Sequence, residues 1–192
     1  MRIAETAIPG AFAVTPRLLA DERGSFHESL RADTLERVLG EPFVTRQISY
    51  SVSCRGTLRG IHMVAQPPGQ AKYVTCVRGA LRDIIVDLRV GSPAFGRYHV
   101  CTLDAESGRA LYIPDGVGHG FLALADDTRI CYAMSTVYAP GTQIDINPLD
   151  PELGLPWAYS EPPLMSQKDT EARSLAETLA AGLLPDWRKA EA

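Results

Sequence analysis

Turn signals interrupt the middle of this chain too often for helices to form there: Pro67-Pro-Gly69, Gly91-Ser-Pro93, Asp115-Gly116 and Ala125-Asp-Asp127. The runs between them are short and rich in β-branched or aromatic residues, the pattern of strands joined by tight turns. Ala71–Arg78 alternates, with Tyr73, Thr75 and Val77 on one side and Lys72, Val74, Cys76 and Arg78 on the other. Arg82–Leu88 is β-branched and bounded by Gly79 and Gly91. Further strands are expected at Gln47–Ser53, Thr57–Val64, Arg97–Leu103, Ala110–Ile113, Gly120–Ala125, Arg129–Thr136 and Gln143–Ile146.

Nine or more short strands predict an all-β sandwich or barrel. The expected fold is mainly β, a cupin-type jelly-roll barrel with short peripheral helices. One helix is expected over Arg31–Leu39, stopped by Gly40, and another at about Thr170–Ala181 within a C-terminal tail of about 170–192. At 192 residues the chain fits one domain, 1–192, long enough to bury a core.

Lys and Arg number 19 against 23 Asp and Glu, a net charge of −4 that argues against a nucleic-acid binder. The longest apolar run, Phe121–Ala125, is far too short to span a membrane. Met1–Gly10 has no apolar signal-peptide core, so a cytoplasmic protein is expected. Cys54, Cys76, Cys101 and Cys131 stand far apart and read as buried, reduced thiols.

The informative residues are polar ones on strands that do not need them. Arg59-Gly-Ile-His62 puts a histidine on an apolar strand, and Lys72 follows on the next strand after the Pro-Pro-Gly turn. His119 and Tyr132 lie on two later strands. Inward side chains of a barrel converge on one cavity, so these groups can meet. Each also has a structural role open to it: a hydrogen-bonded histidine, an edge-strand lysine, a core tyrosine. Asp169 fits the helix-start capping box Ser166-Gln-Lys-Asp169. Arg59 and His62 are three apart, so strict alternation sends them to opposite faces unless Gly60 hosts a bulge.

Pro114-x-Gly116-x-x-His119 looks like half of a metal-binding cupin signature. The other half needs closely paired histidines, and the four here, His27, His62, His99 and His119, include no H-x-H pair. No metal is expected.

Six segments, in order, resemble the dTDP-4-dehydrorhamnose 3,5-epimerase family: Asp21-Glu-Arg-Gly-Ser-Phe26; Gly56-Thr-Leu-Arg-Gly-Ile-His62; Pro68-Gly-Gln-Ala-Lys72; Val86-Asp-Leu-Arg89 with Gly91–Gly96; Leu111–Pro114 through Gly118–Phe121; and Ser166–Asp169. The similarity runs from about Arg17 to Asp169. It implies a cupin barrel, a homodimer, no cofactor and a dTDP-4-keto-6-deoxyhexose substrate. By position, His62 resembles the general base, Asp169 its orienting carboxylate, Tyr132 the acid on the opposite face, and Lys72 the cation near the enolate. Arg23, Glu28, Gln47, Ser49, Arg59, His119, Tyr138, Gln143 and Lys168 resemble substrate-binding positions. Ser49, Met63 and Gln143 depart from the usual family residues, and with Ile144–Asp150 they look more like the antibiotic-sugar branch. That branch includes enzymes inverting C3, C5 or both.

These residue types suit the chemistry. A proton beside a ketone is acidic because its carbanion delocalises onto oxygen, so a base must act with a stabilising cation. Inversion needs a second group to return a proton from the other face. Two other readings fit the same barrel: a 4-keto-sugar isomerase, and a non-catalytic sugar-nucleotide-binding cupin.

Overall fold

The computed structural model describes residues 1–187. In chain order it forms β1 (Arg2–Glu5), β2 (Phe12–Thr15), β3 (Leu19–Asp21), β4 (Gly24–Phe26), α1 (Ala32–Leu39), β5 (Gln47–Ser53), β6 (Leu58–Val64) and β7 (Lys72–Arg78). Then follow β8 (Ala80–Asp87), β9 (Tyr98–Asp104), β10 (Ala110–Ile113), β11 (Val117–Ala123), β12 (Thr128–Met134), β13 (Gln143–Asp145), α2 (Gln167–Thr170) and α3 (Leu175–Ala180). One sheet has the order β1-β2-β10-β7-β12-β5, the second β13-β6-β11-β8-β9, and among the described residues β3 and β4 pair only with each other. Pairings between these strands are antiparallel.

Hydrophobic layers explain the stacking. Val74, Cys76, Leu81, Ile85, Leu111, Phe121 and Ile130 fill the space between the two large sheets. The outer face of the second sheet carries Leu58, Ile61, Met63, Ile84, Val86 and Leu88 under a cover that includes Trp157. Outside the first sheet, Phe12, Tyr73 and Tyr112 pack with Leu35 of α1. Strands covered on both sides lose the one-sided alternation that sequence patterning seeks, which is why Lys72 through Cys76 are all buried.

The α1 helix ends as expected: Gly40 takes the left-handed conformation (φ 78°) and donates its N–H to Glu36 O. The expected C-terminal helix is instead two. Between them, Arg173 O accepts the Asn147 N–H at 2.9 Å, and the Leu175 N–H goes to Asp150 Oδ2 at 2.6 Å. These bonds tie the segment to the chain after β13 and break the helical ladder. The rest of the expected tail, 188–192, lies outside the described residues. A second correction concerns the cysteines. Cys76 is buried, Cys101 and Cys131 are partly buried, and Cys54 is exposed because it stands in the turn after β5. No helix among the described residues is long and apolar enough to cross a membrane.

Gly60 does host a bulge. The β6–β11 register pairs His62 with His119 but Arg59 with Phe121, so two β6 residues oppose Gly120 alone. Gly60 has φ +130°, and a Cβ there would lie 2.5 Å from Gly120 Cα. Only glycine fits. The extra residue returns Arg59 and His62 to the same face, while Leu58, Ile61 and Met63 point to the outer core.

Candidate active site

The register sets the site. Across the second sheet, Asp145, His62 and His119 occupy one cross-strand row, and paired residues point to the same side. Across the first sheet, Ser49 pairs with Tyr132, and Gln47 and Lys72 both pair with Met134. His62, Lys72, Tyr132, Gln47, Ser49, Tyr138 and Gln143 line one cavity of about 260 Å³ at the barrel mouth.

His62 Nε2 lies 2.7 Å from Asp169 Oδ1. Ser166 caps α2 by accepting the Asp169 N–H at 3.1 Å, so the capping motif positions the backbone while the carboxylate faces His62. The capping and orienting roles are therefore compatible. Burial pushes the Asp169 carboxyl up, but hydrogen bonds from His62, Ser166 and Gly60 and the charge of His62 outweigh it, holding the group below its ordinary range.

Lys72 is buried with its ammonium 3.3 Å from His62 O. Desolvation lowers its pKa to about 8, against the pull of Asp115 and Asp83. Tyr132 donates to or accepts from Ser51 Oγ at 3.1 Å. Burial raises its phenol well above the ordinary value, and the negative charge of Asp83 adds to this while Ser51 and Arg59 oppose it. The phenol therefore stays protonated at neutral pH. Arg59 is held by Ser53 Oγ at 3.1 Å and Val52 O at 3.2 Å.

Deeper in the barrel, His119 Nε2 meets Asp83 Oδ2 at 2.8 Å, and the His119 ring stands edge-on to Tyr132 with centroids 6.1 Å apart. Asp83 is fully buried and its Oδ1 has no partner among the described residues. Sequence reading missed Asp83. Its signal was a charge at an inward position of β8, between Leu81 and Ile85, both of the inner core.

Asp145 was also missed. Its Oδ1 lies 3.6 Å from His62 Nε2, while Gln143 Nε2 donates to the same oxygen at 2.5 Å and Lys168 pairs with Oδ2 at 2.9 Å. One donor atom each from His62, Asp145 and Asp169 thus gather within 4.8 Å of one another. These donors come from distant segments, so no local spacing announced the set. Lys168 touches the site through Asp145 and not at the cavity.

Arg59 and His119 border Tyr132 and Lys168 borders Asp145 without lining this cavity, and two further expected ligand positions stand apart from it. Arg23 sits at the turn of the β3–β4 hairpin, paired with Asp21 in a separate groove with Leu19, Ser25 and Phe26. Glu28 lies 3.8 Å from Arg31 ahead of α1. Among the described residues the hairpin pairs only with itself, and none of its residues lines the cavity at the barrel mouth. Met63, beside His62, packs its side chain into the outer core, so its departure from the family residue acts there.

Two stacked antiparallel sheets with polar side chains gathered at one mouth define a cupin-type jelly roll. Within that class the chain belongs to the dTDP-4-dehydrorhamnose 3,5-epimerase family, which it matches over residues 5–177, and it is an isomerase-class enzyme. It is 46% identical to the dTDP-4-dehydrorhamnose 3-epimerase of Streptomyces niveus, over all of this chain and 92% of that protein. The crystal structure of NovW, a 4-keto-6-deoxy sugar epimerase from the novobiocin cluster of Streptomyces spheroides, superposes with a TM-score of 0.95 at 47% identity, covering 97% of this chain and 94% of NovW. ChmJ, a 3'-monoepimerase from Streptomyces bikiniensis solved with dTDP-quinovose, gives 0.91 at 44% identity over 94% and 91% of the two chains.

Proposed function

We propose that this chain epimerises C3, C5 or both of a dTDP-4-keto-6-deoxyhexose, without a cofactor, in deoxysugar biosynthesis. The observation that carries the reading is the placement of His62, Lys72 and Tyr132 around one cavity, with Asp169 behind His62. When His62 donates Nε2–H to Asp169, the lone pair resides on Nδ1, and this nitrogen removes the proton beside the ketone. Lys72 stabilises the enolate oxygen. Tyr132, protonated at neutral pH, returns a proton from the other face. His119, held by Asp83, borders Tyr132, and Gln47, Ser49, Arg59, Tyr138 and Gln143 surround the sugar.

Incubation with dTDP-4-keto-6-deoxy-D-glucose in D₂O tests this. Deuterium at C3, C5 or both supports the epimerase and fixes which carbon is inverted; ligand binding without deuterium uptake at either carbon refutes it.

Asp169→Asn is expected to slow turnover by roughly 10²–10⁴-fold, because an amide no longer fixes the histidine tautomer or supports the imidazolium. The measurement pairs steady-state rates with thermal melting. A loss of stability with normal specific activity would leave Asp169 only its helix-start role.

The acid-base state of Lys72 sets a further expectation. With its pKa lowered to about 8, the ammonium is present below that pH and lost above it. Turnover that needs the cation should therefore decline above about pH 8, roughly tenfold per unit once the group is neutral. A profile flat to pH 9.5 would remove the cation from the rate-limiting step.

We further propose a homodimer. The edge strand β5 turns Ile48, Tyr50 and Val52 to solvent, each more than half exposed, and the hairpin adds Leu19 and Phe26. Pairing these surfaces covers them and allows Arg23 and Glu28 to serve the partner's cavity. Light scattering should report about twice the 20.9 kDa chain mass; a fully active monomer would be inconsistent with it.

A further inference from the structure

We propose that His62, Asp145 and Asp169 form a binding site for a divalent transition cation such as Zn²⁺, and that the cation switches the enzyme off. The inhibitory half rests on His62 being the base; the binding half does not.

Three donors suit such an ion. One is imidazole nitrogen and two are carboxylate oxygens, a set that zinc accepts in tetrahedral sites with a fourth position for water. Tetrahedral bonds of about 2.0–2.1 Å put neighbouring donors roughly 3.3 Å apart. The Nε2–Asp145 distance of 3.6 Å and the Nε2–Asp169 distance of 2.7 Å straddle that value. Closing Asp145 by about 0.3 Å and parting His62 from Asp169 by about 0.6 Å would admit an ion where His62 and Asp169 now share a proton.

The neighbourhood holds Asp145 in place. Lys168 occupies its Oδ2 and Gln143 donates to Oδ1, which keeps a second lone pair for the ion. Asp169 is fixed by its helix-start backbone bond and is almost wholly buried. Lys168 on the far oxygen of Asp145 and Lys72 at the His62 carbonyl balance the two carboxylates, so it is the converging donor atoms and not an excess of negative charge that would hold the cation.

Binding would change the tautomer. The ion takes the Nε2 lone pair, and the imidazole proton moves from Nε2 to Nδ1, so no proton is gained or lost. Nδ1–H cannot abstract a proton, and exchange stops. Asp145 thus acts as a metal ligand beside the base, outside the proton-transfer steps.

The test uses ZnCl₂ as the probe on the whole protein. Calorimetry should find one tight Zn²⁺ per chain, weakened at least tenfold in Asp145→Asn, a loss even outer-shell metal partners produce. On the wild type, ¹⁵N NMR of the imidazoles should show one of the four histidines, His62, exchanging an Nε2–H for an Nδ1–H signature. Since that measurement needs no variant, misfolding of Asp145→Asn leaves the question decidable. No binding, binding unchanged in Asp145→Asn, or a response at His27, His99 or His119 instead would overturn the site. Zn²⁺ bound at His62 with deuterium exchange undiminished would support the metal site, overturn the switch, and count against His62 as the base.

Discussion

His62→Ala is expected to abolish deuterium uptake at every carbon beside the ketone, with turnover falling by at least about 10³-fold. The argument is one of geometry. Asp169 is directed at His62 and Lys72 lies against the His62 carbonyl, and among the described residues no second histidine lines the cavity to replace it. His119, the other inward histidine of that row, has its Nε2 committed to Asp83. The alanine variant should still fold, because the His62 side chain is 30% exposed and belongs to none of the apolar clusters. Removing the imidazole does strand the Asp169 carboxylate in a buried place, so a modest loss of melting temperature is expected beside the kinetic loss. The measurement is time-resolved NMR in D₂O. Exchange persisting at one carbon would give that carbon a different base.

The catalytic reading depended on features that sequence makes visible only in part. Lys72, Tyr132 and His62 were legible as polar residues on strands with apolar neighbours, because a barrel turns such positions inward. The bulge at Gly60 was legible too, since Arg59 and His62 share a face only if an extra residue intervenes, and glycine alone tolerates φ +130° beside Gly120. Asp83 was lost because its partner is 36 residues away on β11, and a carboxylate in a strand usually signals a solvated face. Asp145 resembled an ordinary edge charge for the same reason; only the β13–β6 register puts it opposite His62. The N-terminal strands, three or four residues each, are too short to show a period, and their sheet positions come from pairing partners far along the chain. Arg23 marks a different limit. The family motif named it as a ligand position, while its own hairpin pairs it with Asp21 away from the cavity.

The strictest test of the mechanism is Tyr132→Phe, because it separates two steps that His62→Ala removes together. On the proposed mechanism, deprotonation by His62 and stabilisation of the enolate by Lys72 need no phenol. The variant should therefore still wash deuterium into the substrate with retained configuration, the proton returning from the side on which it left. Formation of the inverted sugar should fall by about 10²–10⁴-fold, the usual contribution of a positioned acid. The surroundings of Tyr132 favour the donor role: burial and Asp83 both oppose ionisation, and Ser51 fixes the hydroxyl at 3.1 Å. Phenylalanine keeps the ring against His119 and the inner core, so the loss would be chemical and not one of packing. The readout is the ratio of exchange to inversion, taken from the same NMR time course. Inversion at the wild-type rate would remove Tyr132 from the reaction. Simultaneous loss of exchange and inversion would instead show that the phenol helps bind or orient the sugar before any proton moves.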